Sequence, residues 1–171
     1  MMPQINNISI RPLGKDEIHC LDDLLYAALF LPEGMEAPPH DIIKKPDIAV
    51  YIKDFGSKKD DYCLVADLNG KIIGGVWVRI LADEIKGFGN IDPQTPEFAI
   101  SLFKEYRKLG IGTELMSKMI TYLKETGYEQ TSLSVQKENY AVKMYTKCGF
   151  QIIRENEHDF IMVLKLKNNI N

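Results

Sequence analysis

Residues 97–125 read EFAISLFKEYRKLGIGTELMSKMITYLKE, and three patterns follow one another within that stretch. From Glu97 to Phe103 apolar residues alternate, with Phe98, Ile100 and Leu102 on one face, which predicts a strand. From Thr113 to Glu125, Leu115, Met116, Met119, Ile120 and Leu123 recur at helical spacing. Between the two stands Arg107-Lys108-Leu109-Gly110-Ile111-Gly112. A strand, a glycine loop and a helix in that order converge several main-chain N–H groups on one point, which suits an anion. Gly110 and Gly112 lack a Cβ, so phosphate oxygens can reach the main chain, and the helix start near Thr113 adds a partial positive charge. Arg107 and Lys108 add screening from the side, so a pyrophosphate is the natural guest.

Outward from this unit the chain alternates helix and strand signals. Upstream, Tyr62 to Leu68 and Lys71 to Leu81 are strand-like runs joined by Asn69-Gly70, a pair that predicts a two-residue hairpin. Gly74 and Gly75 inside the second run predict a bulge, or a close approach of another group. Ser57 to Asp61 reads as a solvated turn. Further upstream, Ile8 and Ile10 predict a short strand, Asp16 to Leu31 an amphipathic helix capped by Asp16, and Asp47 to Phe55 a second helix. Pro32 to Pro39 is rich in helix breakers and predicts a surface loop. Downstream, Gly127 ends the helix. Thr131 to Val135 predicts a strand, Asn139 to Lys147 a helix, and Phe150 to Arg154 and Phe160 to Leu166 two last strands.

The 171 residues suffice for one domain, and 45% hydrophobic with 26% charged residues is the balance of a soluble globular protein. A net charge of −3 carries no nucleic-acid footprint and suits a cationic substrate. No run approaches the ~20 apolar residues of a membrane span, and the first eleven residues lack a secretory pattern, so a cytoplasmic location is expected. Cys20, Cys63 and Cys148 are far apart, as are His19, His40 and His158. No metal is expected.

The glycine loop fits some nucleotide motifs badly. A P-loop needs Lys-Ser/Thr after its last glycine, and neither Gly110 nor Gly112 is followed by one. A dinucleotide fingerprint needs a third small residue where Leu115 stands. The pattern Arg-x-x-Gly-x-Gly between strand and helix, preceded by Glu105-Tyr106, instead resembles the acyl-CoA signature of the GNAT superfamily of N-acetyltransferases. The segment from Asn139 to Phe150, with Tyr145 and Gly149, resembles that family's second signature. The resemblance runs from about Asp61 to Leu166. Lys104 departs from it, since many members carry proline there.

The resemblance implies an α/β (α+β) fold with a mixed, mostly antiparallel central sheet flanked by helices, whose fourth and fifth strands splay around a pantetheine arm. It implies acetyl-CoA as cofactor, with Arg107 to Thr113 on the pyrophosphate and main-chain groups of Ile100, Ser101 and Leu102 on the arm. Asn139 would touch the arm and also cap its helix. Tyr145 would contact the cofactor and give a proton to the leaving thiolate, because a phenol with a reference pKa near 10 is protonated at pH 7. An amine acceptor must lose a proton before attack, and Glu97 stands where many members place a carboxylate. Residues 1–60 would supply acceptor-side helices, with Phe30 to His40 as the acceptor wall, and 61–167 the cofactor core. The expected function is acetyl transfer to a primary amine of a small molecule or peptide by direct attack. A noncatalytic acyl-CoA-binding module and an ATP-binding protein are the alternatives. Which amine, whether the acyl group is longer than acetyl, and whether the chain forms a homodimer stay open.

Overall fold

The computed structural model describes residues 7–167. β1 (Ile8–Pro12) pairs antiparallel with β2 (Tyr62–Leu68), which forms the expected hairpin with β3 (Lys71–Arg79). Asn69 and Gly70 take φ values of 53° and 90°, the left-handed backbone that a hairpin turn of this hand requires. β4 (Glu97–Leu102) continues antiparallel on β3. Then follow β5 (Gln130–Gln136), β6 (Gln151–Glu155) and β7 (Asp159–Lys165), giving the order β1-β2-β3-β4-β5-β7-β6. Among the described strands only β4 and β5 are parallel neighbours, and they pair only at Glu97 and Ser132. Beyond that point they part. The mixed sheet with splayed fourth and fifth strands is therefore as expected.

Among the described residues four α-helices flank the sheet: α1 (Cys20–Ala28), α2 (Pro46–Ala49), α3 (Ile111–Glu125) and α4 (Ala141–Lys147). Because side chains alternate along β4, Phe98, Ile100 and Leu102 face the core that α3 closes with Ile111, Leu115, Met116, Met119 and Leu123. Burying each such side chain contributes about 1.5–3 kcal/mol. On the opposite face Ala99 and Phe103 pack with Leu21, Leu24 and Leu25 of α1 and with Trp77. At the end of α3, Tyr128 N–H returns to Leu123 O and Gly127 N–H to Lys124 O, with Gly127 at φ 89°, so the predicted stop holds.

Three local expectations are corrected. The stretch from Asp16 to Leu31 is not one helix: Lys15–Glu17 is a 3-10 turn, and α1 begins at Cys20 and ends at Ala28. Glu17 explains the interruption, since its carboxylate accepts Gly14 N–H at 2.9 Å and binds Arg11 at 2.8 Å, closing a tight turn; Asp16 caps nothing. The second helix stops at Ala49 rather than Phe55. There the guanidinium of Arg79 donates to the carbonyls of Val50 and Lys53 at 2.9 and 2.8 Å, and the Trp77 indole donates to Tyr51 O at 3.2 Å. Carbonyls taken by β3 side chains cannot extend a helix. Finally, Asp61 is not solvated: it pairs with Arg79 at 2.9 Å, with side-chain exposures of 0% and 2%.

Gly74 and Gly75 serve both predicted purposes. The register slips by one residue opposite Ala66/Asp67, and a Cβ on Gly74 would stand 2.4 Å from Leu102 Cδ2 and 2.8 Å from Ser101 O. The Gly74→Val protein is therefore expected to lose about 1–3 kcal/mol of stability in urea unfolding, through overpacking against β4.

Candidate active site

The loop after β4 begins with a 3-10 turn at Lys104–Tyr106, and α3 follows with Gly110 as its N-cap at φ 86°, ψ −2°. Lys108 also has a positive φ, 64°. Two left-handed residues so close together turn successive N–H groups toward one side. Arg107 N–H is bonded to Lys104 O and Glu114 N–H to Gly110 O, while the six N–H groups from Lys108 through Leu109, Gly110, Ile111 and Gly112 to Thr113 find no acceptor among the described residues. Six unpaired donors at the start of a 15-residue helix make an anion site. Gly110 has open space where a Cβ would be, whereas a Cβ on Gly112 would stand 3.4 Å from Leu102 Cδ1 and 3.7 Å from Met144 Sδ of α4. The Arg107 guanidinium reaches back instead, donating to Leu102 O at 3.0 Å and Ala27 O at 3.1 Å. It ties β4 to the end of α1, and the loop's charge comes from its main chain and Lys108.

The splay supplies a groove beside this loop. Phe103 N–H bonds Ile73 O on β3, and Ser132 N–H of β5 bonds Pro96 O. By strand alternation the main-chain groups of Ile100 and Leu102 thus point away from β3, toward the gap where β5 has diverged. Ser101 points into the opposite face, and its buried Oγ has no partner among the described residues. Across the gap stands α4. Asn139 Oδ1 accepts Ala141 N–H at 2.9 Å, one residue ahead of Tyr140, the N-cap of α4, which has no side-chain cap of its own. Tyr145, 8% exposed, lies edge-on to Phe150 at 5.9 Å. Burial pushes the Tyr145 phenol well above its ordinary value, with smaller contributions from Tyr140 and Cys148. Its hydroxyl has no hydrogen-bond partner among the described residues, so the phenol stays protonated and unengaged.

At the other end of β4, roughly 17 Å from Leu102 by strand rise, Glu97 is 3% exposed. Its Oε2 accepts the Tyr51 hydroxyl and Gly89 N–H, the latter at 3.2 Å, and its Oε1 has no partner among the described residues. Gly87 lies against Oε1 so closely that a Cβ there would be 2.0 Å away. Burial raises the carboxyl to about 7, and the Tyr51 and Gly89 hydrogen bonds offset part of that rise. Other carboxylates are engaged elsewhere: Asp61 with Arg79, Asp60 with the Tyr128 hydroxyl, Asp83 with Lys58. Glu84 is exposed.

Tyr51 and the segment Gly87-Phe88-Gly89 were not foreseen at the site. The paired glycines around an aromatic were the one available signal, and Tyr51 read only as apolar helix surface. The segment from Phe30 to His40 is held to α1: the Tyr26 hydroxyl donates to Pro38 O at 2.5 Å, and His40 stacks on Tyr26 at 4.8 Å. Among the described residues no helix is long and apolar enough to cross a membrane, and no three His, Cys, Asp or Glu residues gather as a metal site.

A model of the Acetyltransferase (GNAT) family matches residues 25–150. The chain is 28% identical over 112 residues to an N-alpha-acetyltransferase of Sulfolobus acidocaldarius, covering 63% of this chain and 64% of that protein. It is 31% identical over 103 residues to an N-alpha-acetyltransferase of Sulfurisphaera tokodaii, covering 55% and 59%. The match thus spans under two thirds of either relative. Among solved structures, the PaiA N-acetyltransferase of Thermoplasma acidophilum, in complex with coenzyme A, superposes with a TM-score of 0.67 at 21% identity, over 92% of this chain and 98% of that one.

Proposed function

The chain belongs to the Acetyltransferase (GNAT) family, and on that premise we propose that it transfers an acetyl group from acetyl-CoA to a primary amine by direct attack. The observation that carries this reading is the row of six unpaired N–H groups from Lys108 to Thr113 at the mouth of the β4/β5 splay. That row would hold the pyrophosphate, and the main-chain groups of Ile100, Ser101 and Leu102 with the Asn139 amide would hold the pantetheine arm, which supplies the acetyl thioester. Tyr145 protonates the departing thiolate. Glu97 takes the proton of the incoming ammonium.

The environment of Glu97 narrows the acceptor. A base near 7 removes a proton from an α-ammonium, whose reference pKa is about 7.7–8.0, far more readily than from a lysine ammonium near 10.4. The two archaeal relatives described as N-alpha-acetyltransferases agree with that preference. The acceptor is therefore read as the α-amine of a peptide, and the acidic balance of the chain suits its positive charge.

Thiol release from acetyl-CoA, measured over a panel of peptides with free or blocked N-termini, lysine derivatives, polyamines and aminoglycosides, tests both steps of this reading. Acetylation of free N-termini is expected to dominate. Tight ATP binding in calorimetry with none for acetyl-CoA would overturn it, and acetyl-CoA binding without turnover on any amine would identify a noncatalytic module. In the same assay, the Gly110→Val protein is expected to raise KM for acetyl-CoA roughly 10-fold with a smaller change in kcat, because a β-branched residue at φ 86° costs about 1–2 kcal/mol.

A further inference from the structure

Tyr51 belongs to none of the patterns that pointed to the site, yet three parts of the molecule hold it in place. The Trp77 indole donates to its main-chain oxygen at 3.2 Å. Its ring stacks on Phe88 at 6.2 Å, with planes 20° apart. Its hydroxyl accepts Phe88 N–H at 2.9 Å and donates to Glu97 Oε2. Gly89 N–H reaches the same carboxylate oxygen. Two donors thus occupy Oε2 while the buried Oε1 has none among the described residues.

A carboxylate fastened through one oxygen has its remaining basic lone pairs on the other. Resting on the reading of Glu97 as the base, we infer that Tyr51 is a positioning residue that fastens Oε2 and so leaves the unpartnered Oε1, beside Gly87, as the oxygen that takes the acceptor's proton. The N–H bond of the ammonium breaks as the Oε1–H bond forms, and the freed nitrogen pair attacks the thioester carbonyl. Tyr51 keeps its own proton throughout, since burial and the facing Glu97 push its phenol far above the ordinary range. Its hydrogen bond favours the charged carboxylate and so opposes the rise that burial imposes on Glu97.

The groups around Glu97 leave that task to Tyr51. Arg79, its register partner on β3, is committed to Asp61 and to two main-chain carbonyls. On β5, Ser132 turns its hydroxyl to Gly89 O, and the neighbouring Thr95 hydroxyl is bonded by Gln130. Glu84 and Lys86 of the covering segment are exposed.

The test is the pH dependence of kcat/KM with acetyl-CoA and the preferred amine. In Tyr51→Phe the acid limb, at about 7 in the parent, is expected to move upward by about one pH unit, with plateau kcat within a few-fold and KM for acetyl-CoA unchanged. 3-Fluorotyrosine at position 51, a stronger donor of nearly the same shape, is expected to move the limb downward, and it serves even where Tyr51→Phe folds poorly. A limb that stays put in both overturns the inference. Glu97→Gln separates the two readings. If it abolishes the limb while the Tyr51 variants leave theirs in place, Tyr51 is merely structural and the base stands. If Glu97→Gln keeps the limb, the base reading itself is lost.

Discussion

Replacing Glu97 by Gln is expected to lower kcat/KM about 10²- to 10³-fold at pH 8 and to flatten its acid limb. In the proposed role Glu97 competes for the acceptor's proton because burial raises its carboxyl to about 7. Below that value the parent holds a protonated, inactive acid, and above it a base. Gln has neither form, so the difference between the proteins grows with pH and nearly vanishes below about 5. The same substitution has an opposite consequence for stability. A carboxyl near 4.5 in the unfolded chain and about 7 in the fold keeps a proton that unfolding releases between those values. Stability contributed by this group therefore falls as pH rises through that window, and the penalty is complete above 7. Glu97→Gln removes the buried charge. Urea unfolding is expected to find it more stable than the parent at pH 8, by up to roughly 3 kcal/mol, and equal to it near pH 4. A variant both less active and less stable at pH 8 would contradict this account.

The Tyr145→Phe protein is expected to lose about 10²-fold in kcat with little change in KM for acetyl-CoA. The low end of the general-acid range applies because a thiol with a reference pKa near 8.5 leaves readily even as an anion. The hydroxyl has no protein partner to orphan and the ring keeps its contact with Phe150, so stability is expected to change little. Acetyl donors whose thiols are more acidic need the proton less. Their use is expected to restore part of the lost rate in Tyr145→Phe and to leave the parent unaffected. A parent-like kcat, or a loss that no donor relieves, would remove Tyr145 from proton transfer.

Much of the fold was legible because its signals are short-range. Asn69-Gly70 names its own turn, Gly127 its helix end, and the stripe from Leu115 to Leu123 its buried face, each from residues within about four positions of one another. The misread segments were those that answer to distant partners. The helix expected through Phe55 ends at Ala49 because Arg79 and Trp77, more than twenty positions away, take its carbonyls. Asp61 looked solvated beside three charged neighbours until β3 brought Arg79 over it.

The site divides along the same line. Sequence by itself determined the anion-ready loop, since Gly110 and the following helix carry the positive φ and the free N–H groups within one turn of chain. It also marked Tyr145 and Glu97 through their resemblance to family signatures. Tertiary structure alone decided what surrounds them. Arg107 turns away to a carbonyl 80 positions distant, and Glu97 is gripped by a tyrosine 46 positions away beneath a glycine pair. The physical reason is that backbone conformation is chosen by neighbours in sequence, whereas burial, hydrogen-bond partners and proton affinity are chosen by whatever the packed sheet brings near.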